Sequence, residues 1–183
     1  MSQVSTSTPT STSTFNANKS ALLDRKIEEI TAGLQKFYTE LLHSINGDNA
    51  AAIVEYIAAM KSEVNLSNHY KKDLIILLSK FSRDINNKLF KDLTRTDIIS
   101  FLETYRKKET QDPMHKWIGT YNLYKVHLLR FFRWLYYPDI EPSKRPKPLV
   151  IENIPELKRK EKSIYKSSHL WTAEDDLLKI LPF

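Results

Sequence analysis

WIGTYNLYKVHLLRFFRWLYY, residues Trp117–Tyr137, is the stretch from which the rest of the chain is read. At ~100° per residue, Tyr121, Tyr124, Leu128, Phe131, Phe132 and Leu135 fall within one apolar arc. Asn122, Arg130, Arg133 and Tyr137 fall in a second arc, roughly opposite. A helix of this kind buries its aromatic side in a core and leaves its cationic side free to meet something anionic.

Upstream, the pattern is helical throughout. Asp112-Pro113 reads as an N-cap followed by an N1 proline leading towards the Trp117 helix. Before it, Thr94 and Asp97 form a capping-box-like pair, with Leu93 and Ile98 at the staple positions. That helix continues through Ile99, Leu102 and Tyr105, and Arg106-Lys107-Lys108 suits its negative C-terminal end. A helix over 67–83, capped by Ser67, offers Tyr70, Leu74, Leu77, Leu78 and Phe81 to a core, with Lys72, Ser79 and Arg83 opposite. Another, over about 49–61, follows the Asn46-Gly47-Asp48 turn with Asp48 as cap and buries Ile53, Val54, Ile57 and Met60. Leu23, Ile27, Ile30, Leu34, Phe37 and Leu41 recur at spacings of four and three, a seam interrupted only by Gly33 as a weak point. This seam fits an amphipathic helix packed on its own domain better than a self-associating coiled coil, because three heptads make only a short one. Residues 1–18 are Ser/Thr-rich and bury almost nothing, which predicts a disordered tail.

Downstream of Tyr137 the composition changes. Pro138, Pro142, Pro146, Pro148 and Pro155 alternate with Lys144, Arg145, Lys147, Lys158, Arg159, Lys160, Lys162 and Lys166, which predicts an extended basic linker over 138–169. Thr172 then precedes an acidic first turn, Glu174-Asp175-Asp176, as if a further helix opened there, with eleven residues left to Phe183.

The charge is distributed in blocks. Residues 67–108 carry ten basic against five acidic side chains, and residues 116–166 carry twelve against five, within a net charge of +6. Two positive blocks suit a polyanion, most plausibly nucleic acid; the same blocks are equally compatible with two solvated helix faces. With no cysteine, disulfides and thiolate metal sites are excluded, which is compatible with a reducing cytoplasm. Three glycines leave no phosphate-cradling loop, so no cofactor is expected. No apolar run is long enough to span a bilayer and no signal peptide is visible.

No catalytic constellation emerges. His43, His69, His115, His127 and His169 lack metal-ligand spacing, no serine sits in a nucleophile elbow, and Glu28-Glu29 and Asp175-Asp176 diverge on a helix. Tyr121, Tyr124, Trp134 and Tyr137 offer stacking surfaces for single-stranded bases, but Tyr121 and Tyr124 share the apolar arc and are expected in the core. A helix-turn-helix regulator would need shorter joints than those between these helices.

The DLTRTDIISFLETYR segment (Asp92–Arg106), the TYNLYKVHLLRFFRWLYY segment (Thr120–Tyr137), and IPELKRKEKSIYK (Ile154–Lys166) leading into LWTAEDD together resemble the tyrosine recombinase (phage integrase) family. Residues of about 48–137 resemble its N-terminal core-binding domain. The resemblance implies an all-α fold: a four-helix SAM-like bundle over 47–137, an added N-terminal helix over 19–46, a linker over 138–169 and the start of a catalytic domain at 170–183. It implies double-stranded DNA as the partner, with other recombinase protomers beside it, and a cytoplasmic, nucleoid-associated location. The family's second and fourth bundle helices approach the major groove. Carried over, the contacts are Asn68, His69, Lys71 and Lys72 on one helix, and Thr120, Asn122, Lys125, Arg130 and Arg133 on the other. Lys144, Arg145, Lys147, Lys158, Arg159, Lys160 and Lys162 would track the backbone between domains. The family's catalytic Arg, Lys, His-x-x-Arg and tyrosine follow the linker and are not reached, so the chain is expected to bind DNA without cutting it. The alternative expectation is a helical interaction module built on the Leu23–Leu41 seam.

Overall fold

The computed structural model describes residues 11–158, with side chains from Asn18 onward. Over these residues the chain is all-α, with no strand: α1 Ser11–Thr31, α2 Lys36–His43, α3 Gly47–Val64, α4 Asn68–Asp84, a 3-10 turn Phe90–Asp92, α5 Arg95–Glu103 and α6 Trp117–Tyr136. Residues 1–10 of the expected tail lie outside the described residues, as do Arg159, Lys160 and Lys162 of the linker and the LWTAEDD segment. The rest of that tail, 11–18, is helical and belongs to α1.

The Leu23–Leu41 seam, read as one helix, is two. Thr31 donates its hydroxyl to the Ile27 carbonyl at 2.8 Å and shares a 2.9 Å hydrogen bond with the Thr39 hydroxyl. Gly33 then adopts φ +75°, a left-handed conformation that stops a helix and that glycine takes without a Cβ penalty. The chain folds back, so that α1 packs on α2 and α3 while α2 packs on α3 and α4. Leu23, Ile27, Ile30, Leu34 and Leu41 all pack into this chain's own core, whereas Phe37 is 51% exposed. The amphipathic reading of the seam therefore describes what its residues do here, and the surface on which self-association would rest is largely used internally.

Local signals fix the other starts. Asn46, not Asp48, caps α3: its side chain accepts the Asp48 N–H at 2.8 Å. Both residues are good caps, and the helix takes the earlier one. Ser67 caps α4 by accepting the Tyr70 N–H at 3.2 Å. The Thr94–Asp97 box closes both ways at the head of α5, and Leu93 and Ile98 beside it are buried. Asp112 does not stand at the α6 N-cap position, which is Lys116, yet its carboxylate accepts the Trp117 N–H at 3.0 Å and so still satisfies the helix start.

The core is aromatic at its centre. Phe81 stacks on Phe90 with centroids 5.8 Å apart, and Phe131 meets Phe90 edge-on at 5.0 Å and Tyr56 at 5.2 Å. Tyr121 is buried and Tyr124 packs edge-on to Tyr105 at 4.8 Å, so both serve the core. Asn49, buried on α3, donates to Ser82 Oγ and the Lys88 carbonyl at 2.9 Å each and accepts from Phe90 N–H at 3.1 Å. That one amide ties the loop after α4, with Asn86 and Asn87 both at positive φ, to α3.

Residues 138–158 form no helix or strand, as their prolines require, but they lie against the bundle. Val150, Ile151 and Ile154 enter the core, and Arg95 holds the Asn153 carbonyl at 2.9 Å. The described part of the linker is thus a strap over the helices.

Candidate nucleic-acid interface

Successive residues on a helix diverge, and the first turns of α4 show it. Lys72 reaches across to α2, where its ammonium lies 5.9 Å from the centre of the Tyr38 ring. Lys71 faces Lys61 of α3, and its pKa is lowered by partial burial and then by that like charge. Asn68 and His69 are exposed, and His69 lies 3.6 Å from the Asp73 carboxylate one turn on.

The link from α4 to α6 runs through Tyr70. Its hydroxyl meets His127 Nδ1 at 3.1 Å and accepts from the Arg130 guanidinium at 3.2 Å. Burial lowers the His127 pKa, Arg130 lowers it further, and Asp73 opposes them, the balance favouring the uncharged ring. Arg130 is exposed and Arg133, one turn later, is half-buried. Arg133 Nε is buried with no hydrogen-bond partner among the described residues. Both arginines line a cleft of ≈ 660 Å³ between α3, α4, α6 and the strap, whose walls also include Met60, Glu63, Ser67 and Arg145.

Two expected contacts are committed elsewhere. Arg145, 5% exposed, holds the Glu63 carboxylate with both terminal nitrogens at 3.1 and 2.6 Å. It also donates to the carbonyls of Pro138, Tyr137 and Ile140, so all three nitrogens of the guanidinium are engaged inside the fold. Asn122 grips the strap from both sides: its amide donates to the Leu157 carbonyl at 2.8 Å and its oxygen accepts the Leu157 N–H at 3.0 Å. A buried cation with every nitrogen engaged, and an amide with both ends used, do not reach a groove. Thr120 and Lys125 are half-buried towards the other end of α6. Lys144 pairs with Glu141 at 2.7 Å, and Lys147 and Lys158 are exposed on the strap.

The cationic surface the fold brings together is therefore smaller than the sequence set: Arg130 and Arg133 on α6 line one cleft, whose α4 wall is Ser67 and Tyr70, while Asn68, His69 and Lys71 stand on α4 outside that lining. Tyr70 and His127 join it unforeseen. Tyr70 reads as an apolar-face residue and His127 as a surface histidine; the only hint was that His127 and Arg130 are three apart and so share a face. Among the described residues no group of three or more His, Cys, Asp or Glu is placed to hold a metal ion, and no helix is long and apolar enough to cross a membrane. No family model, curated protein or solved structure matches the chain.

Proposed function

We propose that the chain is a duplex-DNA-binding module of tyrosine recombinase type, a SAM-like core-binding bundle that grips DNA without itself supplying strand cleavage. The observation that carries this reading is that Arg130 and Arg133 line one cleft together, and no acidic side chain forms an ion pair with either, or with Lys71 in the first turn of α4, among the described residues. Several other cations are neutralised nearby, as in Lys80–Asp84, Lys88–Asp97 and Arg106–Glu103. An unneutralised patch is what phosphate contact requires, because affinity comes from displacing counterions from the DNA. Lys147 and Lys158 on the strap are exposed and add further cations open to phosphate. The family resemblance of Asp92–Arg106 and Thr120–Tyr137 supplies the recombinase part of the proposal.

The test is a titration of the full chain with duplex DNA by fluorescence anisotropy over a range of salt. The proposal expects binding at low salt whose logarithm falls linearly with the logarithm of salt concentration. Absence of binding at low salt, or binding indifferent to salt, overturns it.

A further inference from the structure

The cleft between α3, α4, α6 and the strap contains three arginines and one carboxylate, and the carboxylate is spoken for. Arg145 takes both oxygens of Glu63 in a fork-to-fork pair, its own side chain 6% exposed and that of Glu63 21%. Arg130 and Arg133, which line the same cleft one helical turn apart, therefore face it without a carboxylate partner among the described residues. Arg130 spends one donor on the Tyr70 hydroxyl, and Arg133 Nε is buried with no acceptor among the described residues. A buried N–H on a charged group is costly to leave unpaired, and an anion in the cleft brings the compensating field. Ser67 Oγ and Ser143 stand on the cleft wall as neutral hydrogen-bonding groups that add no repulsion.

We infer that this cleft is a phosphate-binding site in which Arg130 and Arg133 hold one nucleic-acid backbone phosphate, with Arg145 keeping Glu63 from neutralising them. The inference rests on the proposed DNA-binding reading and adds to it a single anchoring point. A backbone phosphate is favoured over a phosphorylated side chain because the cleft wall includes Ser67, the N-cap of α4, and Lys71 follows in the first turn of that helix. Further phosphates of the same strand find cations there. Arg145 acts as a positioning residue: it touches the carboxylate and leaves the phosphate to its neighbours.

The experiment combines two readouts on the full chain. The Arg Nε–H resonances are followed by 1H–15N NMR during titration with inorganic phosphate, then with duplex DNA. Salt-dependent DNA affinity is measured for the wild type, Arg133→Gln, Arg133→Lys and Lys36→Gln, the last a lysine of α2 paired with Glu40. The expected result is a saturable shift of the Arg133 Nε–H with both probes. Arg133→Gln should bind about ten-fold more weakly with a salt slope smaller by about 1, while Lys36→Gln binds as wild type. Arg133→Lys should keep the slope, since the charge remains, and lose affinity, since the fork is gone. A wild type that binds duplex while Arg133→Gln keeps full affinity and slope overturns the inference and leaves the DNA-binding reading standing. A wild type that binds no duplex overturns both. An Arg133 shift with a phosphopeptide but not with duplex overturns the assignment of the phosphate to nucleic acid.

Discussion

Arg145 shows how far a residue's role is set by what lies around it. In sequence it is one of several basic residues between prolines; in the fold its guanidinium joins Glu63 on α3 to three carbonyls of the strap. Removing one partner of such a pair strands the other, so Arg145→Ala should destabilise the protein by about 3–5 kcal/mol. Arg145→Lys should recover only part of this, because an ammonium cannot reproduce the fork. Urea denaturation measures both; a loss below about 1 kcal/mol, the range of an exposed pair, would contradict the role. Asp97 is the complementary case at the head of α5. Hydrogen bonds from the Thr94 backbone, from Lys88 and from the Thr94 hydroxyl hold its carboxyl down at about 2, against an ordinary 3.8. A carboxyl depressed in the folded state stabilises above its unfolded value and loses that contribution as pH falls through the folded value. The wild type should therefore lose thermal stability between about pH 4 and 2 that Asp97→Asn, already lacking the charge, does not lose. Parallel melting curves for the two proteins across that window would count against it.

At the scale of elements, short-range signals were readable and long-range ones were not. The Thr94–Asp97 box and the Ser67 cap lie within three residues of their partners, and both were legible as sequence. The apolar arc of α6 was legible too, since helical geometry alone assigns its faces. The strap was not, because Val150, Ile151 and Ile154 sit among prolines and bury themselves only against helices formed far upstream. For the same reason the pair Arg145–Glu63, 82 residues apart, and the grip of Asn122 on Leu157, 35 apart, carry no local signature. The α1–α2 break falls between these cases: Gly33 marks a weak point, but the heptad-like spacing runs across it as if the helix continued. Alanine at Gly33 separates the two structures by sign. Its Cβ would meet nothing within 4 Å, so the cost of φ +75° is purely that of the backbone, and the variant should be destabilised by about 1 kcal/mol. In a continuous helix the same change would stabilise by a similar amount. Chemical denaturation of Gly33→Ala reads that sign directly.

For the whole molecule, the two blocks of positive charge in the sequence are divided by the fold between a cleft, internal ion pairs and exposed side chains. The second block divides: Arg130 and Arg133 stay with the cleft, Arg145 goes inside, and Lys144 pairs with Glu141. The charge blocks alone did not show which cations the fold would pair, because partners such as Arg145 and Glu63 are brought together only across the fold. The account depends on the position of charge, not its amount, and one comparison tests that most directly. Lys71→Gln/Arg130→Gln and Lys107→Gln/Lys108→Gln remove equal charge, the first from the α4–α6 face and the second from the exposed turn after α5. Measured by anisotropy against one duplex across a salt series, the face variant should lose a large part of its affinity. Its salt slope should fall by about 2, while the control stays close to wild type. Equal losses in the two variants, or none in the first, would contradict the account.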